Sequence, residues 1–295
     1  MRADRVGSSP PGRKIVLKRS SEIIGRLNRF VRVGLGTILL ILSITRPALA
    51  VRPFITDDAR VVGDDQWQLE TSFRADKFKF QNLNLAAYGV TENFEVTLGF
   101  LDGYYRVSPD RGLSIAGPLL QGKYLFLESK PKSYPGIAIA FGATPPTGAG
   151  ALKPENWSEF IFLCLTETVL DRERWMVHAN LGVQIENRPH DPMKSTLTWG
   201  IGTQIKVLEG RRLEPDNTGV CLVGEILSGD PYASVQTKGG VFQAGFRFIL
   251  TDNIQLDATI GSGLWGNPRP VTWGGFGFRM VFGSLTGRTS GRKNM

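Results

Sequence analysis

The sequence predicts an all-β chain, a single closed antiparallel transmembrane β-barrel of twelve strands behind a cleavable signal peptide. Three observations carry this. Residues 1–50 have the composition of an export signal. Beyond residue 65, strand-length segments with period-two alternation recur, and no stretch reads as a long amphipathic helix. The connectors alternate between tight polar turns and longer loops rich in Pro, Gly and Asp, the pattern of an outer-membrane barrel.

The signal comes first. A basic region from Arg2 to Arg32 precedes an apolar run, Val33 to Ile44, and then Ala48-Leu49-Ala50, a small-x-small cleavage site. The twelve-residue run falls short of the roughly 20 that a spanning helix needs. No cysteine stands near the cleavage site, so lipoprotein processing is not expected. The mature chain is expected to begin at Val51, outside the cytoplasm.

Removing that segment changes the charge. Residues 1–50 hold ten of the 35 Lys and Arg and two of the 27 Asp and Glu, which leaves 25 of each sign and a net charge of zero. The pI near 9.6 therefore belongs to the signal. It is no argument for a nucleic-acid partner. The 245 mature residues suffice for one large domain. Cys164 and Cys221 lie in apolar runs and are expected as free thiols. Two His and two Cys, widely scattered, give no metal-ligand spacing, and no cofactor is implied.

Residues 51–65 read as an extended N-terminal segment. The barrel is expected over 66–282, with strands near 66–75, 78–88, 94–103, 117–128, 135–143, 157–169, 174–187, 196–208, 218–228, 238–250, 254–263 and 271–282. In the seventh, Trp175, Val177, Ala179, Leu181, Val183 and Ile185 alternate with Met176, His178, Asn180, Gly182, Gln184 and Glu186. The second breaks phase between Phe80 and Leu83, which suggests a bulge. The sixth, with Phe160-Ile161-Phe162-Leu163-Cys164-Leu165, is apolar on both faces. Tight turns are expected near 90–93, 171–173 and 251–253, and long loops near 103–116, 144–156, 187–195 and 228–237. The 209–217 connector is longer than its class, and Asp76-Lys77 is shorter. A polar tail, 283–295, follows.

Alternation alone does not say which face is wet. Three features assign the apolar face to lipid. All six Trp (Trp67, Trp157, Trp175, Trp199, Trp265, Trp273) fall near strand ends, where an interfacial girdle belongs. Strand lengths cluster near the roughly 9–11 residues a tilted strand needs to cross a bilayer. The last segment, Gly275-Phe276-Gly277-Phe278-Arg279-Met280-Val281-Phe282, resembles the C-terminal signal read by the outer-membrane barrel assembly machinery, though that signal normally ends the chain. The expected location is the outer membrane of a Gram-negative bacterium. Closure is required physically, because lipid satisfies no open strand edge.

Two nucleotide-like motifs fail on context. Gly117-Pro118-Leu119-Leu120-Gln121-Gly122-Lys123 puts Tyr124 where a phosphate loop needs Ser or Thr, and runs into a strand. Gly261-Ser262-Gly263-Leu264-Trp265-Gly266 runs into Asn267-Pro268-Arg269-Pro270, which cannot open a helix. His178 shares the lumen parity, and no Ser-centred elbow accompanies it or His190, so an enzyme is not expected. The ionisable residues of the polar parity are Glu70, Arg74, Glu95, Lys123, Glu186, Lys206, Glu225, Arg247, Asp257 and Arg279, five acids and five bases. Around the closure Glu225, Arg247, Asp257, Arg279 and Glu70 alternate in sign from strand to strand. They can pair across the ladder and fill the lumen, or form a constriction that selects solutes.

Arg52-Pro53-Phe54-Ile55-Thr56-Asp57-Asp58-Ala59, followed by Gln66-Trp67-Gln68-Leu69-Glu70, resembles the mature start of the outer-membrane family named for the meta-pathway of phenol degradation. Tyr88-Gly89-Val90-Thr91-Glu92-Asn93 and Pro145-Pro146-Thr147-Gly148 fit as well. The resemblance implies an outer-membrane channel or transporter for small, hydrophobic or aromatic molecules, with no catalytic residues to carry over. Its expected partners are outer-membrane lipids, the barrel assembly machinery and a small solute. The rivals are a structural barrel plugged by its charges and an outer-membrane lipid-modifying enzyme. A TonB-dependent transporter does not fit, since about 15 residues leave no room for a plug domain.

Overall fold

The computed structural model describes residues 54–107, 109, 111–187, 193–209, 218–230, 232, 239–266 and 271–283. The expected signal peptide, the polar tail after Gly283, the 210–217 connector and most of the 187–195 and 228–237 loops lie outside them.

The strands are β1 (Trp67–Ala75), β2 (Lys79–Thr91), β3 (Phe94–Tyr105), β4 (Gly112–Leu127), β5 (Gly136–Thr144), the two-residue β6 (Gly148–Ala149), β7 (Trp157–Leu170), β8 (Trp175–Asn187), β9 (Lys194–Glu209), β10 (Gly219–Ser228), β11 (Gly240–Thr251), β12 (Ile254–Gly263) and β13 (Trp273–Phe282). Each strand but β6 pairs antiparallel with its sequence neighbour, and β1 pairs with β13 from Trp67↔Phe282 to Ala75↔Gly274. Twelve staves thus close on themselves and leave no edge for lipid to satisfy. They coincide with the twelve segments that the alternation predicts.

Two short connections show why the sequence stops where it does. Between β11 and β12, the Thr251 hydroxyl accepts N–H bonds from Asn253 and Ile254. Between β1 and β2, Asp76 accepts from Phe78 and Lys79. These are local side-chain caps that end a ladder and fix a turn.

Alternation assigns the faces. On β8, Leu181 is 58 % exposed on the outer surface while Met176, His178 and Gln184 are buried inside. The lumen face has two characters. One sector is apolar: Leu85, Leu119, Ala138, Ala140, Phe160, Phe162 and Cys164 form a continuous cluster, and this explains why β7 is apolar on both faces. The opposite sector, on β9 to β13 and β1, carries Glu225, Arg247, Asp257, Arg279 and Glu70 with several amides, while Glu95 and Lys123 face the lumen from β3 and β4. Cys164 and Cys221 are buried thiols on the lumen face of β7 and β10, not joined in a disulfide.

Three expectations are corrected. The phase break in β2 is not a bulge: pairing runs unbroken from Trp67↔Tyr88 to Ala75↔Phe80. Asn82 and Asn84 simply point outward, where they bond Thr71 of β1 and Asp102 of β3. A lipid-side polar cluster that satisfies itself can replace a bulge. The register shift nearby instead lies opposite Gly99/Leu101, at Gly117-Pro118 of β4, and β4 starts five residues earlier than expected, at Gly112. The Trp girdle is incomplete. Trp273 is 3 % exposed on the lumen side of β13, because it shares parity with Gly275 and Arg279. Trp199 lies inside the sixteen-residue β9, not at its end, and stacks on Trp265 at 6.3 Å.

Candidate functional site: the lumen and its N-terminal thread

The main feature of the lumen is the segment preceding β1. Residues 54–62 run inside the barrel, from the tight-turn end toward mid-height. At its lower end the Val62 N–H bonds Glu95 Oε2 at 2.8 Å. Arg60 pairs with Asp58 at 2.6 Å and with Glu173, in the β7–β8 turn, at 3.0 Å. Higher up, the Ala59 N–H bonds Thr166 Oγ1, and Asn180 clasps Asp57 twice, accepting from its N–H and donating to its carbonyl. Lys123 lies 3.1 Å from Asp57 and 3.8 Å from Asp58. At the top Glu225 receives the N–H groups of both Ile55 and Thr56, one on each oxygen, at 2.9 and 2.8 Å. Phe54 packs on Cys221 and Val223, with the Arg247 guanidinium 5.4 Å from its ring centre.

A chain inside a barrel must satisfy its own amides, since no ladder partner is within reach. Here side chains from β3, β7, β8 and β10 supply the acceptors. Glycines make the room. A Cβ on Gly89 would sit 1.6 Å from the Gly63 carbonyl oxygen, and one on Gly200 would sit 2.5 Å from Thr56 Oγ1. Beside the thread lie small cavities of about 20 and 10 Å³.

All eleven lumen residues named from the sequence lie on the inner face. Arg247 and Asp257 form the expected cross-strand pair at 2.9 Å, and Arg247 also donates to Gln204. Glu70 and Arg279 stand opposite each other in register, and Arg279 donates to Gln68 at 2.9 Å. Glu95 and Lys123 are likewise in register on β3 and β4, yet both reach for the thread. Glu225 does not pair with Arg247. It binds the thread and accepts from Gln243. His178 is held by Thr166 Oγ1 at 3.0 Å. Glu186 pairs with Lys194 at 3.5 Å near the long-loop end, and Lys206 lies at the opposite end of β9. Arg74 stands apart from the thread, above it.

Sequence reasoning treated the charges as each other's partners and missed the thread. One signal could have found it. Asp57-Asp58 and Arg60 crowd three charges into a short stretch that also has apolar Phe54, Ile55 and Ala59, an unusual composition for an exposed lead-in.

Above the thread lies an outer chamber of about 280 Å³. Phe54 and Ile55 form its floor. Strands β1, β2, β11 and β13 form its walls, with Gly229, Asp230, Tyr232 and Gly239 of the β10–β11 connection. Tyr232, from that connection, reaches inward, bonds Gln121 at 2.8 Å and packs edge-on against Phe160.

A closed twelve-strand barrel with an apolar outside and a charged, threaded inside is an outer-membrane β-barrel. The chain belongs to the family described as "Putative MetA-pathway of phenol degradation", which matches residues 50–280. Among solved structures it is similar to the COG4313 outer membrane channel from Pseudomonas putida F1, with a TM-score of 0.53 and 12 % identity over 79 % of this chain and 100 % of that one. The KdgM porin in complex with disordered oligogalacturonate matches at a TM-score of 0.47 and 9 % identity, over 72 % of this chain and 98 % of that one. No curated protein matches the chain in sequence. At these identities the first structural likeness establishes the fold.

Proposed function

We propose that this protein is an outer-membrane channel for small solutes, held shut at mid-height by its own N-terminal thread. One observation carries the reading: residues 54–62 are gripped inside the lumen beneath an outer chamber. A barrel that served only as a scaffold needs no chamber. A permanently open pore would have no thread across its bore. The family description and the apolar lumen sector suit a small molecule with hydrophobic or aromatic character. Export by a signal cleaved before Val51 places the thread's first residues close to the new N-terminus, which suits a segment that has to be free to move.

Planar-bilayer recording tests this. The full chain should give small, intermittent conductance. A variant lacking residues 54–62 should give larger and steadier steps. The close grip of side chains on the thread favours the structural barrel as the second reading, and silence in both proteins would establish it against the channel.

A further inference from the structure

The outer chamber holds two cations, Arg74 and Lys79, and two carboxylates, Asp76 and Asp230, that act on them without touching them. Arg74 projects from the lumen face of β1, and its guanidinium carbon lies 3.6 Å from the centre of the Trp273 ring. Its Nε is buried without a hydrogen-bond partner. Lys79, at the start of β2, lies 5.6 Å from the centre of the Tyr105 ring. Among the described residues neither cation forms an ion pair.

Two carboxylates stand nearby, and neither fills the gap. Asp76 is turned into its own turn by the N–H groups of Phe78 and Lys79. Asp230 accepts the Tyr232 N–H at 2.9 Å. Leaving a buried guanidinium N–H unpaired is costly, more so than for a neutral group. Stacking on an indole holds the fork in one plane and leaves its edge for a planar acceptor. The rest of the chamber is apolar, with Phe54, Leu83, Leu85, Val241 and Tyr232 along floor and wall.

We propose that the outer chamber binds a small amphiphilic monoanion, a carboxylate on a compact aryl or alkyl body. The carboxylate takes the Arg74 edge, with Lys79 as the second charge. The body lies on the Phe54 floor, so the occupant rests directly on the top of the thread. A chamber of about 280 Å³ is just below the roughly 300–1,000 Å³ that drug-sized ligands occupy, which selects a small body. As the solute class of the channel, this rests on the function proposed above. Binding itself does not require conduction.

The test uses the full-length mature protein in detergent micelles, titrated with 4-fluorobenzoate and its uncharged isostere 4-fluorobenzamide and followed by fluorine NMR. The benzoate should bind at least tenfold more tightly than the amide. Arg74→Gln with Lys79→Gln should remove that preference. Arg74→Lys alone should weaken benzoate while keeping it ahead of the amide. Lys132→Gln, at an exposed pair near the tight-turn end, serves as the control. Heat-modifiable gel migration reports whether each variant has folded, and the wild-type comparison needs no variant. Equal binding of the two ligands, or undiminished benzoate binding in the folded double variant, overturns the proposal. Bilayer recording separates the two readings. Conductance without benzoate preference leaves the channel and removes this inference; benzoate preference without conductance does the reverse.

Discussion

Glu225 shows how a single residue can set the state of a whole lumen. A carboxylate with one oxygen on each of two successive amides is a strong local clamp, because hydrogen bonds to a charged acceptor contribute about 1.5–3 kcal/mol each. Glu225→Ala orphans the Ile55 and Thr56 amides and should free the upper thread. The expected outcome is longer open dwell times and new trypsin cleavage after Arg60, which the Asp58 and Glu173 bridges shield in the wild type. Glu225→Gln keeps one acceptor and should fall between the two. Unchanged proteolysis and conductance in Glu225→Ala would show that the clamp lies elsewhere, at Asn180 or Lys123. None of this was visible from parity alone. The sequence identifies Glu225 as a lumen acid on β10 and suggests Arg247 as its partner, since signs alternate around the closure. The geometry prefers backbone amides, because Arg247 is already taken by Asp257 and Gln204. Alternation tells which way a side chain points; it carries no information about a non-strand segment that shares the same interior.

At the scale of the strand, the period-two pattern is sufficient to locate all twelve staves, since each had to bury one face and expose the other over a bilayer's width. It is weakest where side chains satisfy one another in an unexpected place. The Thr71, Asn82, Asn84 and Asp102 group breaks the sequence pattern of β2 without breaking the strand, because each member finds its hydrogen bonds among its neighbours on β1, β2 and β3. β8 offers a direct test of the face assignment. Leu181→Arg puts a guanidinium on the lipid face and should cost roughly 2–4 kcal/mol if near the midplane. Parity alone makes Asn180→Arg, one residue away on the lumen face, mild. The double clasp on Asp57 changes that expectation: the barrel should hold while the thread loosens. Denaturant unfolding should therefore register Leu181→Arg, and bilayer recording should register Asn180→Arg. The same loss of barrel stability in both would contradict the parity of β8.

The whole molecule is a balance of charge around a closed ring. The mature chain is neutral, and the lumen carries five acids and five bases among the positions named from the sequence. The thread adds Asp57, Asp58 and Arg60, of which Lys123 and Glu173 engage both signs. Little net field should therefore act on a passing ion, and the expected wild-type selectivity is weak. The balance is local, which makes it testable. Arg247 lies beneath Phe54, and Arg279 lies on β13 opposite Glu70, so both stand in the charged half of the wall. Replacing both with serine removes two positive charges and leaves Asp257 and Glu70 with fewer partners. Selectivity should shift toward cations, and conductance should rise where the two long side chains had filled space. The barrel should also unfold at lower denaturant, since breaking a buried pair from one side leaves an uncompensated charge, a loss of about 3–5 kcal/mol for a fully buried one. The thread complicates the reading in one respect. If it alone sets the bore, the double variant will change selectivity with no change in conductance. If both change, the arginines and the thread share the constriction. A double variant with unaltered selectivity would place the ion path along the apolar sector of β5 and β7, away from the charged half altogether.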